Sequence, residues 1–130
     1  MTGADERFRP HERLRSAGQF RRVLKVGIRV DGPLFGLVAA VGERPFPRLG
    51  LTASRRVGGA VARNRAKRLL RETFRRNKPE LGAIDLVLVA KPEIVSKSQQ
   101  EVEGEFRDRL QRLARRWPPR PRGAAAPVRD

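Results

Sequence analysis

The spacing of apolar side chains along this chain switches repeatedly between a helical and an extended period, and each switch marks an element. Phe20, Val23 and Leu24 recur at i, i+3 and i+4 behind Ser16 and Gln19, the pattern of an amphipathic helix opened by a capping box. Gly27 is its C-terminal stop. A short strand is expected around residues 28–30. Residues 34–41 are almost continuously apolar between Asp31-Gly32-Pro33 and the turn residues Pro45 and Pro47, which predicts a buried strand. Residues 48–54 then alternate, with Leu49, Leu51 and Ala53 on one face and Gly50, Thr52 and Ser54 on the other, as in a half-buried strand.

From residue 60 to 76 the period is that of a helix again. Ala62, Ala66, Leu69, Leu70 and Thr73 make one continuous face, and Pro79 and Gly82 end it. Residues 84–90 are apolar except for Asp85 and predict a further strand. A last helix opens with a second capping box, Ser98 and Glu101, and sets Val102, Phe106, Leu110, Leu113 and Trp117 on one stripe. The expected fold is α+β: a single-domain sandwich with one sheet and the apolar helix faces laid against it. Residues 1–13 lack periodicity and predict a flexible arm. Residues 14–116 form the folded domain. Residues 117–130, with Pro118, Pro119, Pro121 and Pro127, predict a disordered Pro/Arg-rich tail.

Charge changes the picture from a fold to a partner. The 130 residues carry 30 Lys plus Arg against 14 Asp plus Glu, a formal net charge of +16, which calls for a polyanion. No apolar run approaches the ~20 residues that span a bilayer, so a nucleic acid is favoured over a membrane. The absence of cysteine excludes disulfides and thiolate metal sites, and the polar N-terminus, without a signal-like apolar stretch, leads us to expect a cytoplasmic protein.

The charge is concentrated. Residues 55–78 hold ten basic side chains and one acid, Glu72. At ~100° per residue, Asn64, Lys67, Arg68, Arg71 and Arg75 share the face opposite Ala66 and Leu69, with Arg63 at its border and Arg65 and Arg76 on the flank. An ordinary solvated helix face mixes signs so that i, i+4 pairs stabilise it; here Arg68–Glu72 is the only such pair. A face of like charges is sensible when an external polyanion relieves the repulsion. Gly58-Gly59 ahead of the helix, flanked by Arg55 and Arg56, either lets a phosphate approach the helix N-terminus or simply makes a tight turn. Phe20 either packs in the core or offers a stacking platform for an unpaired base. His11 stands alone, and no carboxylate pair is spaced for acid/base work.

These residues carry a resemblance. Arg55-Arg56-Val57-Gly58-Gly59-Ala60-Val61, followed by Arg63-Asn64-Arg65-Ala66-Lys67-Arg68-Leu69-Leu70-Arg71-Glu72-Thr73-Phe74, closely resembles the signature of the bacterial ribonuclease P protein component. Arg13-Leu14, Phe20, Gly27 and the strand at 84–90 agree with it. The resemblance implies a central mixed sheet flanked by helices in the order α-β-β-β-α-β-α, with a left-handed β-α-β crossover, an exception to the usual hand. It implies the small subunit of a ribonucleoprotein whose RNA removes the 5′ leader of precursor tRNA with Mg²⁺ bound mainly by RNA. Arg63, Asn64, Arg65, Lys67, Arg68 and Arg71 would meet ribonuclease P RNA, with Arg55, Arg56 and Arg75 extending that surface. Phe20, Leu24 and Val38 would line the leader cleft, although Leu24 and Val38 replace residues often aromatic in relatives, and Gly59 stands where a polar residue is common. The alternative is a structural RNA-binding protein of ribosomal type. A protein-only nuclease ranks last for want of catalytic groups, and a DNA-binding regulator is disfavoured because Asn64 is the helix's only base reader.

Overall fold

The computed structural model describes residues 9–118. Its elements are α1 (Ala17–Val26), β1 (Ile28–Asp31), β2 (Phe35–Val41), β3 (Arg48–Thr52), α2 (Ala60–Asn77), β4 (Ile84–Ala90) and α3 (Gln99–Ala114), with 3-10 turns at Pro10–Glu12, Lys78–Glu80 and Pro92–Ser96. The order is the expected one. Both capping boxes form: the Gln19 N–H donates to Ser16 Oγ at 3.1 Å, and the Glu101 N–H donates to Ser98 Oγ at 3.1 Å. No described helix is long and apolar enough to cross a membrane.

The sheet runs β1-β2-β4-β3. β1–β2 and β2–β4 are antiparallel, whereas β3 and β4 are parallel and joined through α2. Register sorts the side chains by parity. Leu37 pairs with Leu88, Ala39 with Leu86 and Leu49 with Leu86, and these face α2 and α3 in the larger core. Val38 pairs with Val87 and faces α1, where Leu14, Val23 and Ala40 complete a smaller core. The two central strands are covered on both faces, which is why their sequences read as near-continuous apolar runs.

The one polar residue inside β4 has a purpose in the fold. Asp85 is fully buried and accepts from Arg48 Nε at 3.0 Å and Nη2 at 2.9 Å. Its Oδ2, shared with Arg48 Nη2, also accepts from Arg22 Nη1 at 3.0 Å, so one carboxylate ties α1 to two parallel strands. The hydrogen bond to Asp85 raises the Arg48 guanidinium above its ordinary pKa against the opposing effect of burial.

The arm expected over residues 1–13 is corrected at its C-terminal end; residues 1–8 lie outside the described part. Pro10–Glu12 forms a 3-10 turn, and buried Glu12 pairs with buried Lys78 at 2.9 Å. Arg13 bridges Leu49 in parallel, and the Leu14 N–H donates to the Leu49 carbonyl at 3.0 Å. Partners 35 or more residues away hold this segment, so local periodicity carries no trace of it. At the other end Trp117 packs against the larger core, so it belongs with the domain. The remainder of the expected tail, residues 119–130, lies outside the described part.

Candidate nucleic-acid interface

The turn after β3 is built to present arginines. The Val57 N–H donates to the Ser54 carbonyl and the Gly58 N–H to the Arg55 carbonyl. Val57 plugs the core at 7% exposure while Arg55 and Arg56 stay outside. Gly58 has φ +141°, a conformation L side chains avoid. Gly59 has ordinary extended backbone and open space where a Cβ would lie, so of the two glycines only the first is required by geometry. The first intrahelical bond of α2 runs from the Arg63 N–H to the Gly59 carbonyl at 2.9 Å. No side chain caps the helix and its first turn has no acid.

Along α2 the apolar half is as expected. Ala66, Leu69, Leu70, Thr73 and Phe74 are buried, and Gln99 Nε2 of α3 donates to the Leu69 carbonyl and to Thr73 Oγ1. The other half divides. Asn64 and Arg68 are exposed and, with Val61, Arg65 and Arg71, surround a shallow concavity of about 380 Å³. Val61, at 85% exposure, is an apolar residue set among cations. The buried Nε of Arg63 has no acceptor among the described residues.

Two predicted contact residues are committed to the protein itself. Arg65 donates through Nε to the Val95 carbonyl at 2.8 Å and through Nη2 to the Lys97 carbonyl at 2.9 Å, fastening α2 to the turn before α3. Arg75 donates to Glu72 through Nε at 3.1 Å, and Arg76 stands 3.6 Å from the same carboxylate. Glu72 therefore serves Arg75 and Arg76, not the Arg68 expected from i, i+4 spacing, and Arg68 keeps its charge outward.

A cleft lies between α1, β3 and α2. The tip of the Phe20 ring stands over Gly50, so close that a Cβ on Gly50 would lie 2.5 Å from Cζ. Around this contact Arg13, Lys67 and Arg71 join Leu14, Leu49 and Leu51 in lining a cleft of about 190 Å³. Arg71 is pressed below its usual pKa, first by burial and then by the charges of Arg13 and Arg68; a guanidinium nevertheless stays protonated. Cations are thus gathered around an aromatic tip, which suits a phosphate-bearing strand with an unpaired base.

The other two expected cleft residues are not there. Val38 is 2% exposed in the core beneath α1, because its position in β2 pairs with Val87 on the α1 side. Leu24 is 48% exposed and stands one turn beyond Phe20 on α1, outside the lining of the cleft. Arg13 was missed as a site residue by pattern alone. Its only sequence signal is the Arg13-Leu14 pair within the resemblance.

Comparisons with known proteins agree with one another. The family model described as Ribonuclease P matches residues 8–114. The ribonuclease P protein component of Syntrophobacter fumaroxidans is 44% identical over 102 residues, 77% of this chain and 86% of that protein. That of Pseudoalteromonas translucida is 36% identical over 116 residues, 88% and 83%. Among solved structures, the RNase P protein of Staphylococcus aureus superposes with a TM-score of 0.72 at 26% identity, covering 78% of this chain and 94% of that one. The Thermotoga maritima RNase P protein does so at 0.69 and 28%, covering 78% and 96%.

Proposed function

The chain belongs to the ribonuclease P protein family, and with that as premise we propose that this subunit binds ribonuclease P RNA through α2 and the 5′ leader of precursor tRNA through the Phe20 cleft. The observation that carries the proposal is the convergence of Arg13, Lys67 and Arg71 around the Phe20 tip. Like charges brought together against apolar side chains repel one another, and a phosphate backbone in the cleft relieves that repulsion. Outside the cleft Arg55, Arg56, Asn64 and Arg68 present an exposed surface for the larger RNA.

In this mechanism the subunit performs no covalent step. It lowers the electrostatic cost of bringing two polyanions together and adds a leader contact that mature tRNA lacks, so precursor is preferred over product. Hydrolysis belongs to the RNA, with Mg²⁺ held there. The described acids are poorly suited to hold the ion themselves. Asp85 and Glu12 are taken up by Arg48 and Lys78, and no group of three or more His, Cys, Asp or Glu side chains stands together among the described residues.

The test is reconstitution. The protein added to a bacterial ribonuclease P RNA at low Mg²⁺ should restore removal of the leader from precursor tRNA. Binding of the RNA without any rescue of cleavage would instead favour a purely structural RNA-binding role.

A further inference from the structure

The cationic track does not stop at the Phe20 cleft. Arg13, which lines that cleft, also borders a second and larger concavity of about 460 Å³ between the N-terminal turn and the β2–β3 loop. Its walls carry Arg15, Arg44, His11 and Phe46. None of these residues belongs to the basic helix, and the sequence pattern assigned none of them a role beyond noting that His11 stands alone.

Two observations set this surface apart from an ordinary solvated face. The first is charge. On α3, Arg107 and Arg112 have carboxylates within 4 Å, Glu103 and Asp108, as a stabilised surface requires. Among the described residues the Arg15 side chain donates only to the Pro10 carbonyl and the Arg44 side chain only to the Glu43 carbonyl, and neither has a carboxylate partner. The nearby acids are engaged elsewhere: Glu43 with Arg22 and Arg48, Asp85 with Arg48 and Arg22. The second is an aromatic pair. His11 and Phe46 meet edge to face, with centroids 4.9 Å apart at 90°. His11 is exposed and Phe46 half-buried, so the pair reaches the surface, where a base can stack against it.

Arginines without acids beside an aromatic pair at the surface are the elements of single-stranded nucleic-acid binding. We propose that this concavity is a second single-strand subsite, taking leader nucleotides upstream of those held at Phe20, with Arg13 as the shared step between the two. The subsite rests on the leader-binding role proposed above and extends it. A duplex fits the place less well, because the aromatic pair sits in a recess between a turn and a loop and rewards an unstacked base.

The experiment uses the holoenzyme reconstituted from the full chain and a bacterial ribonuclease P RNA. Its ligands are precursor tRNA with a leader of about 4 or about 12 nucleotides, spanning one or both subsites, and mature tRNA. The variants are R15A/R44A, both exposed positions, and F46L, which keeps apolar volume while removing the ring. Each variant should bind the long-leader precursor about tenfold more weakly, the effect of one lost stacking or phosphate contact. Short-leader and mature tRNA affinity should stay the same. Unchanged long-leader affinity overturns the subsite alone. Equal losses for all three ligands overturn it too and assign the patch to the RNA subunit or the tRNA body. A wild-type holoenzyme that binds precursor and mature tRNA alike removes the leader-binding role itself, and the subsite with it.

Discussion

Phe20 and Gly50 are packed so that the aromatic ring fills the space a side chain on the strand would need: a Cβ on Gly50 would lie within 2.9 Å of three ring carbons. The glycine is there for the ring. G50A should displace Phe20 from the cleft at a cost of ~1–3 kcal/mol in stability. Precursor tRNA affinity should fall by about tenfold, on the scale of one lost base stack, while mature tRNA affinity is kept. Equilibrium binding of the two tRNAs to the reconstituted enzyme measures this, and a uniform loss on both would count against Phe20 as a leader contact.

Neighbouring arginines on α2 should separate cleanly by assay. Arg68 is exposed, so R68A should leave the free energy of unfolding within about 0.5 kcal/mol of wild type. Its affinity for ribonuclease P RNA should drop and the salt slope should become shallower by roughly one. Arg65 holds the Val95 and Lys97 carbonyls, so R65A should lose about 1–3 kcal/mol of stability. Thermal denaturation and salt-dependent RNA titration of both variants decide the matter.

The Glu12–Lys78 pair positions the segment that carries Arg13. E12Q removes the charge from a buried pair and should cost about 3 kcal/mol. Limited tryptic digestion should then cut faster at Arg13 and Arg15, and precursor affinity should fall along with that loss of protection. Unchanged cleavage at these sites would mean the turn is held by its backbone bonds to β3.

Asp85 holds Arg48 and Arg22 at once. D85A leaves Arg48, buried, with only the more exposed Glu43 as its acid and should destabilise the fold by about 3 kcal/mol, read by urea unfolding. The effect should persist in high salt, because the pair is shielded from solvent ions.

Acid should weaken the α2 helix in a predictable direction. The hydrogen bond from Arg75, aided by the charges of Arg75 and Arg76 and opposed by slight burial, holds the Glu72 carboxyl below its usual 4.5. A lowered folded pKa means the contribution is complete above that usual value and is lost as pH falls through the lower, folded one. Thermal melts of wild type and E72Q should therefore differ by a fraction of a kcal/mol near neutrality and converge in acid, as pH falls through the lowered folded value.

Much of the molecule was legible in the sequence because its local rules are strong. The two capping boxes, the strand at 84–90 and the apolar stripe of α2 follow from spacing that depends on neighbours within a turn or two. The cationic face of α2 was legible for the same reason: charge and helical period are both local. What local rules could not convey was which charges are spent inside the protein. Arg65 and Arg68 look alike in sequence, yet one is fastened to a turn 30 residues on and the other is exposed.

The sequence by itself determined the order of elements, the position of the basic helix and, through its motif, the family. Only the tertiary structure decided that Val38 lies under α1, that Arg13 joins Arg71 beside Phe20, and that residues 9–13 are part of the fold. The reason is physical. Register across strands and ion pairs such as Glu12–Lys78 depend on groups far apart in the chain, and their energies are settled only when the sheet brings those groups together.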